Sequence, residues 1–467
     1  MRFKNLITYA DSYKFSHFLQ YPDGIEFASS YVEARTGGRW PSTIFFGLQG
    51  ALQSYFSDPI TDKDIDFAES LASCHGVPFN RFGWEGIIDD YGGILPLLIE
   101  AVPEGTNVSN GNVLAQITNT DPDYAWLVSY FETVILQSIW YPTTVCTNSK
   151  ICQNIVMDGL TVTGCKDPKA VANFQVHDFG FRGASSRESA AIGGAAHLVN
   201  FSGTDTVAAL EYVKAYYSKG LPNTYIPGFS IPASEHSTIS SWGAENEDAA
   251  FENMLDAFLV PGSIVACVSD TYDLMNACKT WGTKFKDRIM NSGGRLVVRP
   301  DSGDPVENSL ATVEALATYF GYTVNTVGYK VLPDCIRVIY GDGINSESIF
   351  DILLNLQFNG YAAENINFGM GGALLQGVDR DTLRFACKMS EVTVEGETYS
   401  VHKSPVTDQT KHSKEGRLAL IKENGIIKTV RKAELGERDN LLEPVWQNGK
   451  LLRYQNFEEI RKIAAAI

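Results

Sequence analysis

Ile336-Arg337-Val338-Ile339-Tyr340-Gly341-Asp342-Gly343 is an apolar run of strand length that stops at a polar, glycine-bearing turn, and a helix-like segment follows it. The same unit recurs from about Cys146 to Lys388. Upstream, Ala172–Val176 precedes His177-Asp178-Phe179-Gly180, and Leu198–Phe201 precedes Gly203-Thr204-Asp205. Gly228–Ile231 precedes Pro232-Ala233-Ser234-Glu235-His236, and Ile264–Val268 precedes Ser269-Asp270. Leu296–Val298 leads into Arg299-Pro300-Asp301-Ser302-Gly303. Downstream, Ile366–Phe368 leads into Gly369-Met370-Gly371-Gly372. Strands that alternate with helices pair in parallel through right-handed crossovers. Seven such units fit an α/β barrel, although no eighth strand stands out, and an open doubly wound sheet has the same alternation. Polar groups after nearly every strand favour the barrel, which gathers all those turns on one face. An open sheet would concentrate them at one switch point.

The flanks read differently. From Met1 to about Val145, short strands such as Thr43–Gly47 and Leu97–Val102 sit among helical stretches such as Trp126–Ser138. Beyond Lys388, Val392–Val394 and Thr398–His402 flank Glu395-Gly396 as a hairpin. The expected organisation is a discontinuous mixed α+β domain of residues 1–145 and 389–467, with residues 146–388 forming the barrel.

Composition narrows the function. With 44% hydrophobic and 20% charged residues, the 467-residue chain is globular and large enough for two packed domains. No apolar run reaches membrane length, and Met1–Lys14 lacks the hydrophobic core of a signal peptide. Eight cysteines without a CxxC pair suit neither a zinc site nor a disulfide framework, so reduced thiols in the cytoplasm are expected. A formal charge of −17 opposes broad nucleic-acid binding, yet leaves room for a small phosphate ligand in a basic cleft.

The strand-end turns hold the candidate chemistry. Gly371 and Gly372 let backbone approach an anion, although a lone glycine cluster is more often a tight turn. Arg299 suits a phosphate and Asp301 a ribose diol, while the same loop would also make a salt-bridged turn. Gly341-Asp342-Gly343 repeats that combination. In His177–Gly183, Phe179 offers a face for a flat heteroaromatic ring and Arg182 a fork for pyrophosphate; otherwise both phenylalanines are core and Asp178 pairs with Arg182. Asp205 reads as a helix cap or as an acceptor that welcomes an amide NH₂ and repels a carboxylate. His236, beside Glu235, is a candidate base or phosphoryl acceptor. Arg380, Lys388, Lys403, Lys411, Lys414 and Arg417 form a loose basic series, mostly a solvated face.

Taken in order, these motifs resemble the nicotinamide phosphoribosyltransferase family along essentially the whole chain. Asp11-Ser12-Tyr13-Lys14, Ala233–Thr238 and Lys411–Arg417 join those already quoted. The resemblance implies a type II phosphoribosyltransferase barrel beside the mixed domain, and a homodimer with shared sites. It implies that nicotinamide lies between Phe179 and Tyr13 of the partner, with its carboxamide on Asp205. Ribose and phosphate would be held at Arg299, Asp301, Gly341, Asp342, Gly371, Gly372 and Arg380. Pyrophosphate would lie near Arg182, His236 and Arg299, with Arg35, Lys388 and Lys403 joining from the partner. Catalytic weight falls on His236, Asp301 and Arg299. Mg²⁺ is expected with phosphoribosyl pyrophosphate, without an assigned ligand set, and ATP is expected to phosphorylate His236. Phe181 and Ala373 depart from the family's usual tyrosine and glycine. Two rivals share the scaffold: a nicotinate phosphoribosyltransferase, opposed by Asp205, and a catalytically silent binding protein, opposed by the joint presence of Arg182, His236, Arg299, Asp301 and Asp342.

Overall fold

The computed structural model describes residues 5–402 and 413–466. The chain divides into two compact units. One comprises residues 1–147, 215–223 and 379–467, and the other residues 148–214 and 224–378.

The second unit carries a six-stranded parallel sheet. Its strands are β1 (Val176–Asp178), β2 (Gly203–Thr204), β3 (Ile264–Val268), β4 (Arg295–Arg299), β5 (Ile336–Tyr340) and β6 (Ile366–Met370), in the order β2-β1-β6-β5-β4-β3. The sheet curls into a barrel closed by residues 229–234. On one side Phe229 bridges Gly203, and Thr204 N–H donates to Phe229 O at 3.0 Å. On the other, Ala233 bridges Ala266, whose N–H donates to Pro232 O at 2.9 Å. Pro232 has no N–H to give, so it cannot extend the pairing with β3. No eighth strand joins the ring among the described residues. Buried on both faces, the strands read as continuous apolar runs. Ala266, Val297 and Ile339 form an inward layer against which Phe179 and Ile231 pack.

Two expected strands are displaced. Ala172 ends the helix Pro168–Ala172 and Leu198 ends Arg187–Leu198, while the sheet uses Val176–Asp178 and Gly203–Thr204. A short buried apolar run does not distinguish a strand from a helix end. In consequence the apparent turn residues His177, Asp178 and Thr204 belong to the sheet.

The other unit joins both ends of the chain in one antiparallel sheet. Ile25–Ala34 lies between Val113–Asn119 and Phe385–Val394, while Leu97–Ala101 pairs with Glu443–Gln447. The hairpin Phe385–Val394 to Glu397–Ser400 turns at Glu395 and Gly396, with φ of 50° and 78°, the primed geometry that follows strand twist. Thr43 and Ile44 belong to a short strand, Ser42–Ile44. The stretch read as helical to Ser138 continues: one helix spans Glu132–Val162, Pro142 included.

Candidate active site

All seven strand-end turns face one end of the barrel. There a cleft of about 1020 Å³ is lined by Phe179, Phe181, Arg182, Gly183, Asp205, His236, Arg299, Asp301, Gly341, Asp342, Gly371 and Gly372, among others.

The Phe179 ring is set by backbone. Its N–H donates to Met370 O at 3.0 Å, and a Cβ at Gly369 would sit 2.1 Å from the ring. Glycine at 369 therefore clears an aromatic side chain, not an anion. Beneath it Asp178 is fully buried and accepts from Gly180 N–H at 2.8 Å and, more distantly, from Thr204 Oγ at 3.4 Å. These contacts, and not Arg182, satisfy its carboxyl, whose pKa burial pushes up to about 6. His177 on the same strand is held neutral by burial, which lowers its pKa against the pull of Asp205.

Asp205 follows β2, with its N–H on Asp178 O at 2.9 Å. Its carboxylate is exposed to the cleft and accepts from Ser230 Oγ at 2.5 Å, so it is not spent on capping a helix.

The loop after β4 carries the densest network. Arg299 donates to Asp301 Oδ2 at 2.9 Å and to Ser234 O at 3.3 Å, which aims its guanidinium along the cleft wall. Asp304 caps the helix Pro305–Phe320 by accepting from Val306 and Glu307 N–H, both at 2.9 Å, so this aspartate is architectural. A Cβ at Gly341 would lie 2.8 Å from Asp301 Oδ1, so glycine lets the two loops meet. Asp270, to which sequence reading gave no role, ties the constellation together. Its Oδ2 accepts from Asp301 N–H at 2.8 Å and Ser302 Oγ at 2.6 Å. Its Oδ1 is buried without a hydrogen-bond partner among the described residues, 3.8 Å from His236 Nε2. The missed signal was its position at a strand end like all the others.

His236 opens a short helix, half exposed to the cleft, with Nδ1 3.2 Å from Thr271 Oγ and Nε2 3.6 Å from Asp301 Oδ2. Asp270 and Asp301 are thus its carboxylate neighbours. Glu235, the sequence neighbour of His236, caps the helix and accepts from Ser237 Oγ instead.

Tyr13, Arg35, Arg380 and Lys388 belong to the other unit. Tyr13 is 55% exposed, its ring edge-to-face with His17 and 5.2 Å from the buried Lys14 Nζ, which is ion-paired to Glu132. Arg35 Nε donates to Arg384 O at 3.1 Å, and Arg380 pairs with Asp381 at 3.2 Å. Lys388 stands opposite Tyr31 in the sheet. Lys414 pairs with the buried Glu33 and Arg417 with the buried Glu100, so both are structural and not a solvated face. Lys403 and Lys411 lie outside the described residues.

Comparison with known proteins decides the family. The family model described as nicotinate phosphoribosyltransferase (NAPRTase) matches residues 174–442, and that for the nicotinamide phosphoribosyltransferase N-terminal domain matches residues 5–99. A nicotinamide phosphoribosyltransferase of Xanthomonas campestris pv. campestris is 49% identical over 469 residues, covering 99% of this chain and 98% of that protein. The chain belongs to the nicotinamide phosphoribosyltransferase family. It is a pentosyl-transferring enzyme. A second member, from Acinetobacter baylyi, is 31% identical over 98% of this chain and 96% of its own. Among solved structures, nicotinate-nucleotide pyrophosphorylase from Pyrococcus furiosus superposes with a TM-score of 0.64 at 16% identity, covering all of this chain and 96% of that one. Human nicotinic acid phosphoribosyltransferase gives 0.55 at 15% identity, covering 98% and 93%. At such identities these two establish the fold, that of the type II phosphoribosyltransferases. Among the described residues no helix is long and apolar enough to cross a membrane.

Proposed function

We propose that this enzyme transfers phosphoribosyl from 5-phosphoribosyl 1-pyrophosphate to nicotinamide, yielding nicotinamide mononucleotide and pyrophosphate for NAD salvage. The observation that carries this reading is one cleft holding an aromatic face, an acceptor-only carboxylate and an Arg–Asp–His cluster. Phe179 receives the pyridine ring and Asp205 accepts the carboxamide NH₂. The ring nitrogen attacks ribose C1 as the bond to pyrophosphate breaks, through an oxocarbenium-like transition state. Asp301 and Asp342 hold the ribose hydroxyls, the Gly341 and Gly371–Gly372 backbone admits the 5′-phosphate, and Arg380 supports it. Arg299 and Arg182 stabilise the departing pyrophosphate. Tyr13, Arg35, Lys388 and Lys403 complete the site from a second subunit of a homodimer.

Mg²⁺ fits the residues present. Asp301, Asp342 and the partnerless Oδ1 of Asp270 are hard oxygen donors of the kind that bind this ion together with a substrate phosphate. When bound, it neutralises charge on the pyrophosphate.

ATP acts as a coupled co-substrate. Its γ-phosphoryl passes to an imidazole nitrogen of His236 with release of ADP, and water later cleaves the phosphohistidine. Orientation of that ring by Thr271, Asp270 and Asp301 supports this role. We place the reaction in the cytoplasm, in keeping with eight free cysteines.

The test is product formation by purified enzyme with phosphoribosyl pyrophosphate and Mg²⁺, offered nicotinamide or nicotinate, with and without ATP. Mononucleotide from nicotinamide, increased by ATP, is expected. Preference for nicotinate overturns the role of Asp205, and no product from either base overturns the assignment.

A further inference from the structure

We propose that Ser230 is a positioning residue for base selection: its hydroxyl donates to Asp205 Oδ1 and leaves Oδ2 to the carboxamide. This rests on the reading of Asp205 as the carboxamide acceptor.

Asp205 needs such a partner. Its backbone is fixed by the hydrogen bond to Asp178 O, but its carboxylate stands in open solvent, where nothing in its own loop sets χ1. A rotating carboxylate must be ordered by each arriving ligand, and that ordering subtracts from affinity. The Ser230 Oγ–Asp205 Oδ1 contact of 2.5 Å supplies the order beforehand. It is charge-assisted, and its polarity is settled because an ionised carboxylate only accepts. The hydroxyl's other reachable acceptor, Ile231 O, lies at the 3.5 Å limit.

Ser230 is itself held in place from both sides. Phe229 N–H donates to Ser202 O at 2.8 Å, Phe229 O accepts from Thr204, and Pro232 O accepts from Ala266. Ile231 packs on the same Ala266–Val297–Ile339 layer as Phe179. The ring platform and the hydroxyl that aims the acceptor therefore share one rigid support. The choice of donor also matters. A lysine or arginine at 230 would hold the carboxylate equally well but cancel its charge, whereas a neutral hydroxyl orients Asp205 and preserves its repulsion of a ligand carboxylate.

The test is steady-state kinetics of Ser230→Ala, Ser230→Thr, Asp205→Asn and the double variant Asp205→Asn/Ser230→Ala, with saturating phosphoribosyl pyrophosphate. Ser230→Ala is expected to raise KM for nicotinamide about 10- to 150-fold with kcat within about twofold, the loss for one hydrogen bond to a charged group. Ser230→Thr, which keeps the hydroxyl, recovers most of that loss. In the Asp205→Asn background Ser230→Ala adds less than its loss in wild type, because the hydroxyl can still meet the amide Oδ1 but the carboxylate it aims is gone. Wild-type KM in Ser230→Ala, an equal defect in Ser230→Thr, or additive losses in the double variant would overturn the inference. If Asp205→Asn itself leaves KM and the nicotinamide-to-nicotinate preference unchanged, it is the underlying reading of Asp205 that fails.

Discussion

Three side chains at the strand ends invite single substitutions with opposite signatures. Removing the Asp205 charge in Asp205→Asn should raise nicotinamide KM and narrow the preference over nicotinate by about tenfold or more, since one neutral amide no longer repels a carboxylate. Competition between the two bases in one reaction reads this directly; an unchanged ratio would remove Asp205 from selection. His236→Ala should abolish stimulation by ATP and the acid-labile phosphoprotein formed from it, while slow ATP-independent synthesis persists. Persistence of phosphoprotein in that variant would place the phosphoryl group elsewhere. Asp178 is different, because its ionisation opposes folding. Its folded pKa of about 6 lies above the ordinary 3.8, so the stability tied to its protonated form is fully present below about pH 4 and lost as pH rises through 6. The shift corresponds to about 3 kcal/mol between the two forms. Melting temperatures of Asp178→Asn relative to wild type should therefore climb between pH 4.5 and about 7. Parallel profiles would show that Asp178 titrates normally.

At the scale of elements, the site depends on how each helix is started and how closely strands approach. Asp304 accepts from two N–H groups at the head of Pro305–Phe320, and its loop carries Asp301 three residues earlier. Asp304→Ala should cost about 1 kcal/mol of stability, the usual value of a lost N-cap, and loosen phosphoribosyl pyrophosphate binding more than nicotinamide binding. Urea unfolding together with the two KM values checks both parts; equal effects on the two substrates would contradict it. In the strand-end loops the sequence was legible where polar residues followed Val- and Ile-rich runs: β3 matched its expected bounds at both ends, as did β5. It was illegible at β1 and β2, where buried helix ends carry the same apolar run and two- or three-residue strands carry almost none. Gly369 shows the same limit at a single position. The sequence marks a glycine that must be small, but only the Phe179 ring 2.1 Å from its absent Cβ says why.

Across the whole molecule, the strand-end loops of one unit gather most of the expected site, while Tyr13, Arg35, Arg380 and Lys388 sit in the other. If the site is shared across a homodimer, solution mass should be twice the 51.3 kDa of the chain. Mixing inactive Tyr13→Ala with inactive Asp301→Asn after subunit exchange should then restore about a quarter of wild-type activity, because half of the dimers regain one intact site of two. Failure of exchanged mixtures to regain activity would place Tyr13 and Asp301 in the same subunit's site. The sequence by itself determined the alternation of strands and helices and the residue types at each strand end. Those follow from local periodicity and turn chemistry, which act over a few residues. Only the tertiary structure decided that residues 229–234 close the barrel, that Asp270 and not Glu235 stands beside His236, and that Ser230 holds Asp205. Each of these joins positions some 25 or more residues apart, and their pairing is set by how the barrel closes, which no local pattern records.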